Sequence, residues 1–492
     1  MKKILFTLGV VASMLMNAQK NTFLNADFWK SKPSVEAVKA EVAKGNSPSE
    51  FNASSFDAVA LAINNGAPLE TIKYLVEQDG NSVDKLTHDG RLYLHWAAMS
   101  GNDKVVEYLI SKGSKANQLD TKGLTPASFA AMFGVNNPKV YDLLFAAGVN
   151  PKEKYKDGAN ILLLSIGNDT DGSLLKLFQS KGLKITDTDD QGNSAFDYAA
   201  TFGNLDILKS LQKQGIKAHD LALINAAQGT RRSSNGLPVF QYLVEEVKVN
   251  PKAVSADGST VLHIVARKPK QADIVSYFIA KGVDANKVNK DGDTALMMAA
   301  AGQDAEVLKL LIAQTKDINA VNTSGESALT FAVKSGNTSA IETLLANKAD
   351  AKVVDAKGNN LGYYWVQSYR SARPGQKDNF VENMNLLQKA GVNLATAQKD
   401  GSTLLHLAAA KNDLNLFKKL EALKIDVNAL DKDHMTVLHK VALIAKDDAL
   451  LKYVAALGVD KSIKTEFDET AYDLASENEI LKSKQVNLQF LK

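Results

Sequence analysis

The chain has no cysteine among its 492 residues. That absence excludes disulfides, a thiolate nucleophile and a lipid-bearing cysteine, and leaves packing to supply stability. A dominant charge is also missing. Lys and Arg number 58 against 55 Asp and Glu, a balance that gives no footing for nucleic acid or a membrane surface. No glycine-rich phosphate loop and no G-x-S-x-G elbow occurs. Length alone would suggest about three globular domains, yet no Pro/Ser-rich linker or charge block interrupts the chain. Arginine is scarce, with six residues in all, and their placement matters below.

One apolar run stands out, Ile4 to Met16 behind Met1-Lys2-Lys3. It has the charged and hydrophobic parts of a secretory signal peptide and is too short to span a bilayer. The expectation is cleavage after Ala18, giving a mature chain exported to the periplasm or the extracellular space with no membrane span. Removing Lys2 and Lys3 leaves 56 basic against 55 acidic residues.

What the chain has in abundance is a repeat. The stretch Asp257-Gly258-Ser259-Thr260-Val261-Leu262-His263-Ile264-Val265-Ala266 returns as Asp400-Gly401-Ser402-Thr403-Leu404-Leu405-His406-Leu407-Ala408-Ala409, as Asp291-Gly292-Asp293-Thr294-Ala295-Leu296 and as Thr436-Val437-Leu438-His439. Aligned on the Thr position, the copies begin at Thr22, Asp57, Leu92, Thr125, Asn160, Ser194, Leu221, Thr260, Thr294, Ser327, Asn360, Thr403, Thr436 and Thr470. Intervals run from 33 to 35 residues except for 27 after Ser194, 39 after Leu221 and 43 after Asn360.

Each position in the repeat has a physical reason. A Thr or Ser oxygen at the start of a helix can accept an N–H that the first turn leaves unpaired. Two residues before it stands a glycine in nine copies, Gly90 and Gly401 among them, where a tight hairpin needs positive φ. A second glycine series, from Gly113 to Gly458, falls where a longer helix should end in a left-handed cap. Each unit therefore reads as hairpin, short inner helix, loop and longer outer helix.

This pattern resembles the ankyrin repeat, whose T-P-L-H-x-A signature has a period near 33. The resemblance implies an all-α solenoid of about fourteen helix-loop-helix units joined by short β-hairpin turns. It divides the chain into a signal peptide (1–18), an N-terminal capping repeat (19–56), an array (57–469) with insertions near 229–238 and 366–378, and a C-terminal capping repeat (470–492). Phe23, Leu24, Phe28 and Trp29 are expected to seal the first unit. The resemblance also implies that His95, His263, His406 and His439 are structural, bridging adjacent hairpins, with Thr260, Thr403 and Thr436 as their motif partners.

Candidates for chemistry are few. His88, His219 and His434 lie near hairpin turns in different units, without the clustering a metal site needs. The run Asp187-Thr188-Asp189-Asp190-Gln191-Gly192 opens like a calcium loop, but Gln191 replaces a ligand and Tyr198 stands where the closing Glu belongs, so it reads as an acidic turn. No metal, cofactor or catalytic residue is assigned.

Five arginines, Arg231, Arg232, Arg267, Arg370 and Arg373, fall in three units, each between an inner and an outer helix. Equivalent loops of a solenoid emerge along one edge, and a guanidinium fork suits carboxylate or phosphate. Two readings follow: the loops recognise an anionic group on a partner, or the arginines anchor the insertions to helix carbonyls. Beside the third group, Trp365 and Tyr369 either fill space opened by the insertion or face a partner.

The sequence thus points to an exported, monomeric, non-enzymatic scaffold that binds a protein partner, and not nucleic acid, through hairpin tips, concave face or arginine-bearing loops. A small anionic ligand, or a protective role beside an exported enzyme, is the alternative reading.

Overall fold

The computed structural model describes residues 21–230, 233–370 and 378–492. Among the described residues the chain is helical with no strand, and two isolated antiparallel bridges, Val254 with Thr260 and Val321 with Ser327, mark hairpin stems. Helices alternate short and long as the repeat requires. Tyr93–Met99 precedes Asp103–Ser111, Ala295–Ala301 precedes Ala305–Gln314, and Leu361–Ser368 precedes Phe380–Lys389. Fourteen helix pairs occur among the described residues, and in the last two the outer helix is no longer than the inner one.

The chain forms two compact units that meet in sequence between His219 and Asp220. The boundary lies in the shortest interval of the repeat, where the hairpin is curtailed. There the inner helix already begins at Asp220, so Leu221 sits inside it and does not occupy the capping position the alignment gives it.

The first unit is closed at one end by aromatics. Phe23 and Trp29 are fully buried and stack at 5.6 Å, and the Trp29 indole N–H donates to the Phe23 carbonyl at 2.8 Å. Farther along, Tyr93, Phe129, Tyr141, Phe178 and Phe196 continue its core. In the second unit Phe240, Phe278, Trp365 and Phe417 do the same. Alanines of the inner helices, such as Ala97, Ala98, Ala299 and Ala300, have at most 1% exposure. Their small side chains let successive inner helices approach closely, and larger residues there would separate the repeats.

Hairpins are built and stacked by backbone bonds. In the one ending at Gly325, Asn322 N–H donates to Glu326 O at 3.0 Å and Gly325 N–H to Asn322 O at 2.9 Å. Neighbouring hairpins are then tied by Thr323 N–H to Asp291 O (2.9 Å) and Ala356 N–H to Ser324 O (2.8 Å). Both glycine series have positive φ throughout, between 69° and 102°. At Gly325 a second constraint acts: a Cβ there would lie 2.7 Å from the Ala356 nitrogen. The outer helices carry their own cross-links, since Tyr277 and Lys281 both reach Glu245, at 3.1 and 3.0 Å, just as Tyr108 and Lys112 reach Glu77.

Candidate recognition surfaces

Repeat geometry is held by the four motif histidines. His263 Nε2 faces the Asp293 carbonyl at 3.0 Å, His406 Nε2 the Met435 carbonyl at 2.9 Å, His439 Nε2 the Ile463 carbonyl at 3.1 Å and His95 Nε2 the Leu124 carbonyl at 3.2 Å. A carbonyl oxygen only accepts, so Nε2 carries the proton and Nδ1 keeps a lone pair. That lone pair accepts the N–H of Thr260, Thr403 and Thr436 at 3.1 Å each, and of Leu92 at 3.2 Å.

The threonines partnered by histidine depart from the expected helix cap. Thr260, Thr403 and Thr436 place Oγ1 2.8 Å from the histidine Nδ1. Because Nδ1 is an acceptor, the hydroxyl donates to it, and no side-chain cap bond to a helix N–H forms at these three threonines. Where no histidine stands three residues on, the expected cap forms: Thr125 accepts from Ser128 N–H at 3.2 Å and Ser327 from Thr330 N–H at 3.3 Å. Asn160, Asn360 and Asp57 cap in the same way with their side-chain oxygens. Burial pushes all four imidazoles below their ordinary pKa, His95 to about 4.

The first recognition surface is a cleft in the second unit, about 490 Å³, between consecutive hairpins and their inner helices. Its walls are the hairpins holding Thr323, Ser324 and Glu326 and, one repeat on, Asp355, Lys357 and Asn359. Lys334, Tyr363, Tyr364 and Gln367 come from helices Ala328–Ser335 and Leu361–Ser368. The polar groups are pre-arranged. Tyr364 OH donates to Asp355 Oδ2 at 2.6 Å, and Lys334 Nζ pairs with Glu326 at 3.0 Å. Burial and the Asp355 carboxylate push the Tyr364 hydroxyl far above its usual range. Burial opposes charge on Asp355, but the bonds from Tyr364 and Asn359 outweigh it and hold that carboxyl below its usual range.

The arginine-bearing edge is described in part, since Arg231, Arg232 and Arg373 lie outside the described residues. Arg267 is exposed at the end of helix Val261–Ala266. Its neighbour Lys268 does the anchoring, reaching the Ala227 carbonyl at 2.8 Å and the Gln228 carbonyl. Arg370 donates to the carbonyls of Gln367 at 2.9 Å and Tyr369 at 2.8 Å, an anchoring geometry. Trp365 and Tyr369 are corrections to the contact-residue reading. Trp365 is fully buried, stacks on Phe380 at 4.1 Å and donates its indole N–H to the Phe380 carbonyl at 2.9 Å. Tyr369 is 6% exposed and packs edge-on against Phe380. Both fill the space that the longer connection opens between inner and outer helix.

Sequence reasoning passed over the sixth arginine. Arg91 is 5% exposed, bonds Asp120 at 2.9 Å and Asp89 at 3.1 Å, and lies 4.2 Å over the Phe129 ring. Its isolation among lysines, directly after a hairpin glycine, was the available signal. Also passed over was buried Asp57, which accepts the Tyr93 hydroxyl at 2.5 Å and pairs with Lys85 at 2.8 Å. The acidic turn read at 187–192 is one: Asp189 Oδ1 accepts the N–H groups of Gln191 and Asn193 at 2.9 and 2.8 Å. Among the described residues, no group of three or more His, Cys, Asp or Glu could hold a metal, and no helix is long and apolar enough to cross a membrane.

The family model for ankyrin repeats (3 copies) matches residues 31–120, 59–155, 223–322 and 262–355, which together cover more than half of the chain. Alpha-latrotoxin-Lg1a of Latrodectus geometricus is 30% identical over 141 residues, 28% of this chain and 10% of the toxin. Ankyrin repeat protein nuc-2 of Neurospora crassa is 25% identical over 285 residues, 57% of this chain and 23% of that protein. The chain thus spans a tenth of the first relative and under a quarter of the second. Among solved structures, the human ASB11 ankyrin repeat domain is 21% identical with a TM-score of 0.38, over 48% of this chain and 98% of that one. The ankyrin repeat domain of Bcl-3 is 20% identical with a TM-score of 0.35, over 46% and 99%. The chain belongs to the ankyrin-repeat family.

Proposed function

We propose that this chain is a non-enzymatic binding protein whose second unit receives a segment of a partner protein in the cleft between the Thr323–Glu326 and Asp355–Asn359 hairpins. Ankyrin repeats mediate protein–protein interaction. The observation that carries the specific reading is the cleft itself. Half-exposed Tyr363 and the Lys334–Glu326 pair lie beside two hairpins whose backbones are already fixed by hydrogen bonds. A partner segment would find apolar ring surface and both signs of charge without ordering a loop, which keeps the entropic cost of binding low. The acid–base groups nearest to hand are engaged within the scaffold: the motif histidines bridge hairpins and Asp355 is held by Tyr364 and Asn359.

Export is part of the same proposal, and rests on residues 1–18 alone. Expressed in a bacterial host, the full chain should appear shortened in the periplasmic or culture fraction, while a chain lacking 1–18 stays in the cytosol. For the cleft, a photo-crosslinking residue placed at exposed Lys357, against a control at exposed Lys309 on an outer helix, distinguishes the surfaces. One protein crosslinked from 357 and not from 309 supports the cleft. Equal yield from both positions rules it out.

A further inference from the structure

Donors and acceptors stand differently in the hairpin cleft of the second unit. Its two carboxylates, Asp355 and Glu326, are each 9% exposed. Asp355 Oδ1 accepts the backbone N–H groups of Lys357 and Asn359 at 2.8 Å each, and Oδ2 accepts the Asn359 amide at 2.8 Å and the Tyr364 hydroxyl at 2.6 Å. Four bonds occupy the lone-pair positions of a carboxylate and spread its charge over neutral donors. Glu326 takes Lys334 Nζ through both oxygens, at 3.0 and 3.3 Å. The negative groups of the cleft are thus spent inside the scaffold.

What is left over can donate. Lys357 is exposed, and among the described residues its ammonium makes no hydrogen bond or ion pair. The Tyr363 hydroxyl and the Gln367 side-chain amide, on residues that also line the cleft, make no hydrogen bond among the described residues either. Lys334 keeps one N–H beyond its two bonds to Glu326; its side chain is 53% exposed and its head group lies 5.6 Å over the Tyr364 ring. The freedom of Tyr363 has a cause in the repeat. From the same position His263, His406 and His439 bridge hairpins and accept the N–H three residues before them. Here Gln398, from the next hairpin, accepts the Asn360 N–H at 2.9 Å. Tyr363 is thereby relieved of the bridge and stands half-exposed, its ring edge-on to Tyr364 at 5.1 Å.

We infer that the partner segment seated in this cleft presents a glutamate or aspartate side chain to Lys357 and to the spare N–H of Lys334, with an adjoining apolar side chain on the Tyr363 ring. This rests on the cleft being the partner's seat, as proposed above. A carboxylate brings acceptors and no donor, the complement of what the cleft leaves unspent. Its bonds to ammonium groups are charge-assisted, about twice as strong as neutral ones, and a cleft screens them less than open solvent does. Lysine heads on flexible stems can close on the carboxylate without a fixed fork. A basic segment would meet two ammonium groups and no unspent acid.

The test uses saturation-transfer NMR on the purified chain with three probes: N-acetyl-Leu-Glu-Leu-amide and its glutamine and lysine counterparts. The glutamate probe should bind about fivefold tighter than the glutamine probe, and the lysine probe weakest. Salt at about 0.3 M should remove most of that difference. Lys357→Gln, at an exposed position, should weaken the glutamate probe about threefold with an unchanged melting temperature and leave the glutamine probe as it was. Lys357→Arg should keep the preference, and Lys357→Glu should turn it toward the lysine probe. Equal binding of the glutamate and glutamine probes overturns the inference, as does a glutamate preference that survives Lys357→Glu, or no binding by any probe. A crosslinking residue at exposed Ser324, which leaves both lysines in place, reports on the cleft by itself. The same partner crosslinked equally in the parent and in Lys357→Glu keeps the cleft and removes the carboxylate, whereas no crosslink in the parent removes both.

Discussion

His406 Nε2 stands 2.9 Å from the carbonyl oxygen of Met435, 29 residues farther along the chain. With Nδ1 it holds the N–H of Thr403 in its own repeat, so a single neutral imidazole ties one hairpin to the next. Replacing it with alanine leaves the Thr403 N–H unpaired in a buried setting and takes from the Met435 carbonyl one of its two bonds, the Asp431 N–H at 3.1 Å remaining. His406→Ala should cost about 1–3 kcal/mol, read as a lower urea midpoint for the second unit. A midpoint within error of the parent would mean that the bridge contributes nothing net.

Those imidazoles also predict how stability depends on pH. Burial lowers their folded pKa below the ordinary value, to about 4 at His95. Between that value and about 6.5 the unfolded chain binds protons that the folded chain refuses, so stability rises with pH across this window. It is fully present above about 6.5 and is lost as the pH falls toward 4. His95 alone accounts for on the order of 3 kcal/mol of that change. Urea midpoints measured from pH 7.5 down to 4.5 should fall steadily, and His95→Asn should flatten the slope of the first unit.

Gly325 and Gly391 separate two costs of replacing a glycine. Both have positive φ, 76° and 87°, but a Cβ at Gly325 meets the Ala356 nitrogen at 2.7 Å while nothing lies within 4 Å of Gly391. Gly391→Ala should cost about 1 kcal/mol, from the backbone conformation alone. Gly325→Ala should cost clearly more, since the next hairpin must shift. Equal losses in a thermal melt would show that the stacked hairpins yield easily.

Trp365 tests the packing reading of the longer connection. Fully buried and stacked on Phe380, it should cost about 3–5 kcal/mol on change to alanine. Capture of a partner should then fall only to the extent that the chain unfolds. A folded Trp365→Ala variant that loses its partner would return this residue to the recognition surface.

The pair of Asp57 and Lys85 predicts a non-additive result. Asp57 is fully buried, caps the Ala60 N–H at 2.9 Å and faces Lys85 at 2.8 Å. Asp57→Ala leaves a mostly buried ammonium with neutral acceptors only, Ser49 O at 2.8 Å and Asn81 Oδ1 at 3.1 Å, and removes the tyrosine's short bond, at a cost of about 3–5 kcal/mol. Adding Lys85→Met should recover part of that loss, which a double-mutant cycle on the first unit measures. Simple additivity would mean that the two groups do not depend on one another.

The sequence by itself determined the repeat: the glycines two residues before Thr260 or Thr403, the alanines of the inner helices and the 33-residue spacing each reflect a local backbone or size constraint, readable without knowing what lies opposite. It also marked the short interval after Ser194, in which the boundary between the two units falls. Tertiary structure alone decided which polar atom each side chain meets. Thr260 and Thr125 occupy the same place in the repeat, yet one hydroxyl donates to an imidazole and the other caps a helix, because the residue three positions on differs in what it can accept. Trp365 and Tyr369 have the composition of a contact surface, and the helix at Phe380 covers them. Tyr363 stands where other repeats have histidine; it is left free only because Gln398, 38 residues from Asn360, takes the N–H that a histidine would hold. Hydrogen-bond partners and burial depend on distant segments, which periodicity cannot report.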